Sequence, residues 1–240
     1  MRILQLATLC IAIALAPAHT YSADDTECVI VLHGLGRTRD SMDLIEAALN
    51  DNGYCVWNRT YPSRHADIEW LAANAIGEGL AFCEAQQSVR IHFVTHSLGG
   101  ILVRQYLQDS AVENLGRIVM LSPPNQGSDL AELLKDNYLY QVFTGPVGKQ
   151  LGTDQNSLPR QLLPIPGEIG ILTGNSSSDP WFSPSIPGED DGKVSIENAR
   201  LDEMQDFMVV SNGHTFIMRD GAVIKQILHF LAQGKFNRRD

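Results

Sequence analysis

The sequence predicts an α/β fold, in which a mostly parallel sheet carries helices on both faces. Short apolar runs typical of strands alternate along the chain with longer segments of helical periodicity, the pattern of a parallel sheet. The chain has 240 residues, of which 44% are hydrophobic and 19% are charged, as in an ordinary globular protein. That length supports one sizeable core. We therefore expect a single domain over residues 24–240.

The predicted elements follow one another as strand and helix units. Helical patterns follow each of the first three strands, and a last helix contains Leu228 and Leu231. Residues 123–167 interrupt this order with a stretch rich in Gly, Pro and Gln, and they predict a small cap insertion. Ordinary packing of this segment on the sheet is the alternative. The predicted strands cover residues 28–32, 54–59, 89–95, 116–121, 168–173 and 206–210.

Residues 1–23 have the pattern of a secretory signal peptide. Arg2 precedes an apolar run over 3–15, and small residues follow it up to Ala18. A run of about 13 apolar residues is shorter than the roughly 20 that a spanning helix needs, which argues against a membrane anchor. We therefore predict an exported protein, periplasmic or secreted, with cleavage near Ala18 or Ala23.

Three cysteines would remain after cleavage, in a compartment where disulfides form. They are Cys28, Cys55 and Cys83, and an odd number is most simply one bridge and one free thiol. All three lie near the starting ends of neighbouring predicted strands, so the sequence leaves the pairing open. We favour a bridge between Cys28 and Cys83.

Charge and ligand spacing exclude two classes of partner. The formal net charge is −10, which leaves no basic stripe to neutralise the phosphates of a nucleic acid. No group of cysteines and histidines has the spacing of a zinc site. We expect neither a nucleic-acid partner nor a metal or organic cofactor.

One serine stands where a strand turns directly into a helix. The segment is His96-Ser97-Leu98-Gly99-Gly100, and no loop separates it from the strand over 89–95. Such a nucleophile elbow lifts a serine hydroxyl out at the carboxyl edge of a sheet, and its strained turn requires small neighbours such as Gly99. The alternative is that Ser97 only caps the helix.

The chain resembles the α/β-hydrolase superfamily, and within it the bacterial lipase and esterase branch, over nearly all of residues 28–231. The resemblance implies an α/β-hydrolase fold and a catalytic serine, acid and histidine in that chain order. The matching places are His33-Gly34-Leu35-Gly36, His96-Ser97-Leu98-Gly99-Gly100, Pro124-Asn125-Gln126-Gly127-Ser128-Asp129-Leu130, Asp191-Gly192-Lys193-Val194 and Gly213-His214.

The resemblance also implies which residues complete the triad. His214 follows the last predicted strand, where the family places the base, and His65 is its strongest rival. Asp191 begins the family's Asp-Gly-x-Val pattern and is the implied acid that orients the base. Asp190 is the second choice for this acid and Asp179 is the third.

Acyl transfer develops negative charge on a carbonyl oxygen, which needs two backbone N–H donors already in place. Leu98 follows the serine directly, and Leu35 matches the family's position after the His-Gly pair, so these two supply the implied oxyanion hole. A plain flexible turn is the alternative for the segment around Leu35. We interpret His33 as a residue that organises this loop and not as a base.

These residues predict a serine-dependent carboxylic ester hydrolase that forms an acyl-enzyme. The apolar residues of 123–167 favour lipid-like or other acyl esters as substrates, with transient contact with a lipid surface. Acyltransferase or thioesterase activity on the same triad is the alternative. The remaining alternative is a binding protein that has the hydrolase fold but no catalytic activity.

Overall fold

A single parallel sheet forms the centre of the molecule. The structure is a computed structural model that describes residues 26–177 and 183–238, so the signal peptide expected over residues 1–23 lies outside the described residues. The strands are β1 (Glu27–Leu32), β2 (Cys55–Asn58), β3 (Arg90–His96), β4 (Leu115–Leu121), β5 (Glu168–Gly174) and β6 (Asp206–Val210), and each begins and ends within one residue of its prediction. They lie in the order β2-β1-β3-β4-β5-β6 and are all parallel.

Helices cover both faces of the sheet, which confirms the predicted fold class. The helices are α1 (Asp43–Asp51), α2 (Ile68–Ala85), α3 (Leu98–Asp109), α4 (Asp129–Leu134), α5 (Tyr138–Thr144), α6 (Pro146–Gln150), α7 (Leu158–Gln161) and α8 (Gly221–Gln233). Residues of α2 and α3 pack in the core on one face, and residues of α1 and α8 pack in the core on the other. Within the described ranges, no helix has the length and apolar character needed to cross a membrane.

The strand β1 shows why the apolar runs are continuous. Ile30 and Leu32 point into the core beside α2 and α3, whereas Val29 and Val31 point into the core beside α1 and α8. Successive side chains of a strand alternate between faces, so a strand with helices on both sides must be apolar at every position. The segments after β3, β5 and β6 consequently meet at one edge of the sheet, its carboxyl edge.

The segment between β4 and β5 forms four short helices, α4 to α7. Part of it joins the core, since Val147 and Leu151 are buried. Its α5 is largely open to solvent, with Tyr138 at 75%, Leu139 at 74% and Val142 at 66% exposure. The segment therefore presents apolar side chains both inward and to solvent.

A disulfide joins the sheet to the helix that covers it. Cys28 of β1 is bonded to Cys83 in the last turn of α2, with the two Cα atoms 5.7 Å apart. Cys55 lies beside Cys28 in the register of β1 and β2 and remains a free thiol. The bridge is the favoured pairing of the three that the sequence left open.

Candidate active site

The chain turns from β3 into α3 at Ser97. The backbone of Ser97 has φ 52° and ψ −115°, a conformation that residues other than glycine rarely adopt. Such strain costs about 1–3 kcal/mol and persists only where the surroundings impose it. Here the N–H of Ser97 donates to the carbonyl oxygen of Leu121 at 2.9 Å. The hydroxyl makes no capping hydrogen bond to α3, which argues against the alternative that Ser97 is only a helix cap.

Two glycines let the neighbouring segments approach this turn. A Cβ atom on Gly99 would lie 2.7 Å from the carbonyl oxygen of Leu32, and one on Gly34 would lie 2.7 Å from Nδ1 of His96. Neither distance is tolerable for a carbon atom. The absence of side chains at these two positions therefore brings β1 and the loop after it against the elbow.

A hydrogen-bonded chain runs from Ser97 to a buried carboxylate. Nε2 of His214 lies 3.0 Å from Oγ of Ser97, and Nδ1 of His214 lies 2.8 Å from Oδ2 of Asp191. Asp191 is in the loop between β5 and β6, and His214 follows β6, so the three meet at the carboxyl edge of the sheet. With the proton of a neutral imidazole on Nδ1, Nε2 accepts from the serine hydroxyl.

The carboxylate of Asp191 is held in its charged form. Burial acts to raise the pKa of Asp191, but the charge and the hydrogen bond of His214 outweigh it, helped by the Ser122 hydroxyl and the Val194 N–H, and the pKa is lowered overall. Its Oδ1 accepts from the N–H groups of Lys193 at 3.0 Å and Val194 at 2.9 Å. Asp191 thus offers a fixed negative charge to the imidazole.

The alternative residues lie elsewhere. Asp190 accepts hydrogen bonds from the hydroxyl of Ser183 at 2.6 Å and from the N–H of Gly192 at 2.7 Å, so its carboxylate shapes the turn before Asp191. His65 is exposed in the loop before α2. Asp179 lies outside the described residues.

One of the two N–H groups expected to bind an oxyanion belongs to the residue after Ser97, and the other belongs to a residue that lines the neighbouring cavity. Leu98 is the first residue of α3, where helical N–H groups have no partner within the helix. Leu35 lines the cavity above Ser97 together with Gly34. In the described part of the chain, neither N–H donates to a protein acceptor. Both are therefore free to donate to a ligand.

Solved bacterial enzymes share this architecture. The mature lipase BlEst2 of Bacillus licheniformis matches with a TM-score of 0.68 and 20% identity, over 90% of this chain and 96% of that chain. This chain has the α/β-hydrolase fold. A scan against models of known protein families and a search of curated proteins both find no match.

Two further α/β structures are similar at lower scores. Phospholipase PlaB from Legionella pneumophila has a TM-score of 0.64 and 19% identity, over 87% of this chain and 57% of that chain. A metagenomic carboxyl esterase, MGS0156, has a TM-score of 0.60 and 18% identity, over 84% of this chain and 68% of that chain. The chain thus spans just over half the length of the phospholipase. Identities this low relate the folds and not the activities.

His33 organises the loop that carries Leu35. Its ring stacks on Tyr61 with the centroids 4.0 Å apart, and the Tyr61 hydroxyl donates to the His33 carbonyl. Nδ1 of His33 donates to the carbonyl of Gly34 at 2.9 Å, and Nε2 accepts from the N–H of Tyr61 at 3.3 Å. Burial lowers the pKa of His33 to about 4, so the ring is neutral at physiological pH.

The motif after β4 secures the loop that carries Asp191. The Ser128 hydroxyl donates to the carbonyl of Lys193 at 2.9 Å, and the Asn125 amide donates to the carbonyl of Ala199 at 2.8 Å. The buried guanidinium of Arg104 in turn donates to the carbonyl of Asn125 at 2.8 Å. This motif was identified in the sequence by its resemblance to the family. Nothing in the sequence indicated that Arg104 would hydrogen-bond to it.

His96 is a further site residue that sequence reasoning did not identify. Its Nε2 donates to the carbonyl of His214 at 3.0 Å, and the two rings lie 5.0 Å apart. Burial, followed by the nearby charge of His214, lowers the pKa of His96 well below its usual value, so the ring is neutral. Nothing in the sequence around His96 indicates its contact with the main chain of His214.

A cavity of about 360 Å³ opens over Ser97 and His214. Leu130 and Leu134 of α4, Phe143 of α5, and Leu151 supply much of its wall, so the segment between β4 and β5 forms one side of the site. A cavity of this size and lining can hold a small organic ligand. In residues 26–177 and 183–238, no cluster of His, Cys, Asp and Glu could hold a metal ion.

Proposed function

We propose that the protein is a serine-dependent carboxylic ester hydrolase of the carboxylesterase and lipase type, acting through an acyl-enzyme. The observation that supports this best is the hydrogen-bonded chain from Asp191 through His214 to Ser97, which ends at the floor of a largely apolar cavity. The similar structures named above are a lipase, a phospholipase and a carboxyl esterase, which agrees with the proposal.

In the acylation step, Oγ of Ser97 attacks the carbonyl carbon of the ester while Nε2 of His214 takes the hydroxyl proton. The carbonyl oxygen becomes an oxyanion and accepts hydrogen bonds from the N–H groups of Leu35 and Leu98. The intermediate collapses by breaking the bond to the alcohol oxygen, to which His214 returns the proton. The products are a free alcohol and an acylated Ser97.

Deacylation repeats these steps with water. His214 takes one proton from the water as its oxygen attacks the acyl carbon, and then returns a proton to Oγ of Ser97 as the acid leaves. Throughout, the carboxylate of Asp191 accepts a hydrogen bond from the Nδ1–H group of His214 and offsets the positive charge of the imidazolium. The chain's own residues supply every group in this scheme, so we propose no cofactor.

The proposed substrates are lipid-like or other small acyl esters. The leucine and phenylalanine side chains of the cavity suit an acyl chain and exclude water around the ester. We propose that residues 123–167 act as the cap of the site. The exposed apolar residues of α5, which include Phe143 at 62%, then suit transient contact with a lipid surface.

We further propose that the protein is exported, after cleavage of its signal peptide near Ala18 or Ala23. The disulfide between Cys28 and Cys83 supports this, because disulfides persist in oxidising compartments and are rare in the cytosol. A periplasmic and a secreted location are both compatible with it.

A chain-length series of nitrophenyl esters, run beside a triglyceride emulsion, tests the proposed activity. We expect hydrolysis whose kcat/KM rises over the short acyl chains, because each buried methylene contributes about 0.8 kcal/mol. The Ser97→Ala variant is the control for background hydrolysis. Thioester and amide versions of the best acyl group distinguish thioesterase activity. If the protein hydrolyses none of these esters, the proposal is contradicted.

Replacing His96 with leucine should lower kcat for the best ester about tenfold to a hundredfold. The carbonyl of His214 would lose its buried donor, which costs about 1–3 kcal/mol, and the base would lose a fixed position. His96→Gln keeps an N–H donor at a similar reach and should restore most of the rate. Steady-state kinetics with thermal unfolding of both variants checks this. An equal loss of kcat in His96→Leu and His96→Gln would show that the N–H donor to the His214 carbonyl does not determine the rate.

A further inference from the structure

The charged side chains that line the catalytic cavity are cationic. Arg37 and Lys193 line it, and no aspartate or glutamate of the described residues does. This differs from the composition of the chain, which has 28 acidic and 18 basic residues. A cavity with cations and no carboxylate favours a negatively charged ligand.

Arg37 is fixed beside the proposed oxyanion hole. Its N–H donates to the carbonyl of Gly34 at 3.2 Å, which closes a turn around Leu35 and places the Arg37 main chain next to it. The side chain is half-buried at the cavity. The Arg37 side chain therefore borders the cavity in which an ester would bind.

The guanidinium of Arg37 has no protein anion to bind. In the part of the chain that the structure describes, Arg37 makes no ion pair, whereas Arg39, two residues later, lies 3.5 Å from Glu46. An arginine side chain presents several N–H donors in a planar fork that matches a carboxylate or a phosphate. Arg37 can thus offer this fork to a ligand in the cavity.

Lys193 adds a second cation on the side of the base. Its main chain is held at both ends, since its N–H donates to Asp191 and its carbonyl accepts from Ser128. The Lys193 side chain therefore begins from a fixed point in the acid loop and lines the same cavity as Arg37. Arg37 lies in the loop after β1, and Lys193 lies in the loop between β5 and β6.

We infer that the ester substrate carries an anionic oxygen group, a phosphate or a carboxylate, near the scissile bond, and that Arg37 binds this group with Lys193 nearby. The inference rests on the proposed ester hydrolysis and names its substrate class. The anion could belong to a lipid headgroup or to a small water-soluble ester. Both sources present the same chemistry to Arg37.

A matched pair of substrates tests the inference. Acylglycerol 3-phosphate and the corresponding monoacylglycerol have the same scissile ester and differ by the phosphate. We expect the wild-type protein to prefer the phosphate ester in kcat/KM, and Arg37→Gln to lower this preference at least tenfold. Arg37→Lys keeps the charge without the fork and should lower it less. Rising salt should weaken the preference of the wild type, because ions screen an accessible charge pair.

The control is Arg59→Gln, which removes an exposed arginine outside the cavity and should keep the wild-type preference. Butanoyl substrates in solution and oleoyl substrates in detergent micelles separate the two sources. A preference with both chain lengths supports a small anionic ester, and one with oleoyl alone supports a lipid headgroup.

Two results would overturn the inference while the proposed function stands. One is hydrolysis of both esters with a preference that Arg37→Gln leaves unchanged. The other is an equal loss of preference in Arg59→Gln, which would assign the effect to net charge. If the wild-type protein hydrolyses neither these esters nor the nitrophenyl series, the proposed function fails and the inference fails with it.

Discussion

Replacing Ser97 with alanine is expected to lower kcat for ester hydrolysis by a factor on the order of a million. The variant lacks the oxygen that forms the acyl-enzyme, while the cavity and the N–H groups of Leu35 and Leu98 stay in place. We therefore expect KM to change little and the residual rate to come from substrate binding and from these two N–H donors. Initial rates on a nitrophenyl ester, with the thermal unfolding temperature measured beside them, check this.

Two variants make the result for Ser97 specific. Ser110→Ala removes an exposed hydroxyl at the other end of α3 and should retain the wild-type rate. His214→Ala should cost about as much as Ser97→Ala, and the double variant should be no slower than either, because serine and base act as one unit. A Ser97→Ala protein with substantial activity would remove the serine from the mechanism.

The second large effect is expected for Asp191→Asn, which should lower kcat about ten-thousandfold. The amide would present N–H donors to Nδ1 of His214 and favour the tautomer with its proton on Nε2, which cannot accept from Ser97. Its carbonyl oxygen could still accept from Lys193 and Val194, so the loop should keep its shape. Steady-state kinetics and an unfolding curve separate the chemical effect from a structural one.

Neighbouring carboxylates are the matched controls. Asp190→Asn should cost much less than Asp191→Asn, because the Asp190 carboxylate contacts Ser183 and Gly192 and not the imidazole. Glu189→Gln, at an exposed position, should leave the rate unchanged. A large loss for Asp190→Asn with a small one for Asp191→Asn would reverse the assignment.

The strands could be predicted from the sequence because burial on both faces leaves a strong local signal. Every residue from Cys28 to Leu32 is fully buried, so the apolar run itself marks β1. The elbow could also be predicted locally, since Ser97 and Gly99 stand directly between a strand pattern and a helix pattern. Parallel strands then bring the segments after β3, β5 and β6 to one edge.

The remaining features depend on contacts between distant parts of the chain. The hydrogen bond from His96 to the carbonyl of His214 joins residues 118 positions apart, and nothing near His96 in the sequence indicates it. To predict the disulfide with certainty, one would have to know that Cys28 faces the side of the sheet covered by α2, which places it against Cys83. The cationic lining of the cavity could not be predicted without the positions of the two separate loops that carry Arg37 and Lys193.

Labelling with a fluorophosphonate probe tests the central claim most directly, because the probe reacts covalently with an activated serine. After incubation with the probe, intact mass and peptide mapping give the number and position of adducts. We predict one adduct per chain, on the peptide that contains Ser97, forming in parallel with loss of esterase activity and absent from Ser97→Ala. An adduct at another residue, or labelling that persists in Ser97→Ala, would contradict the account.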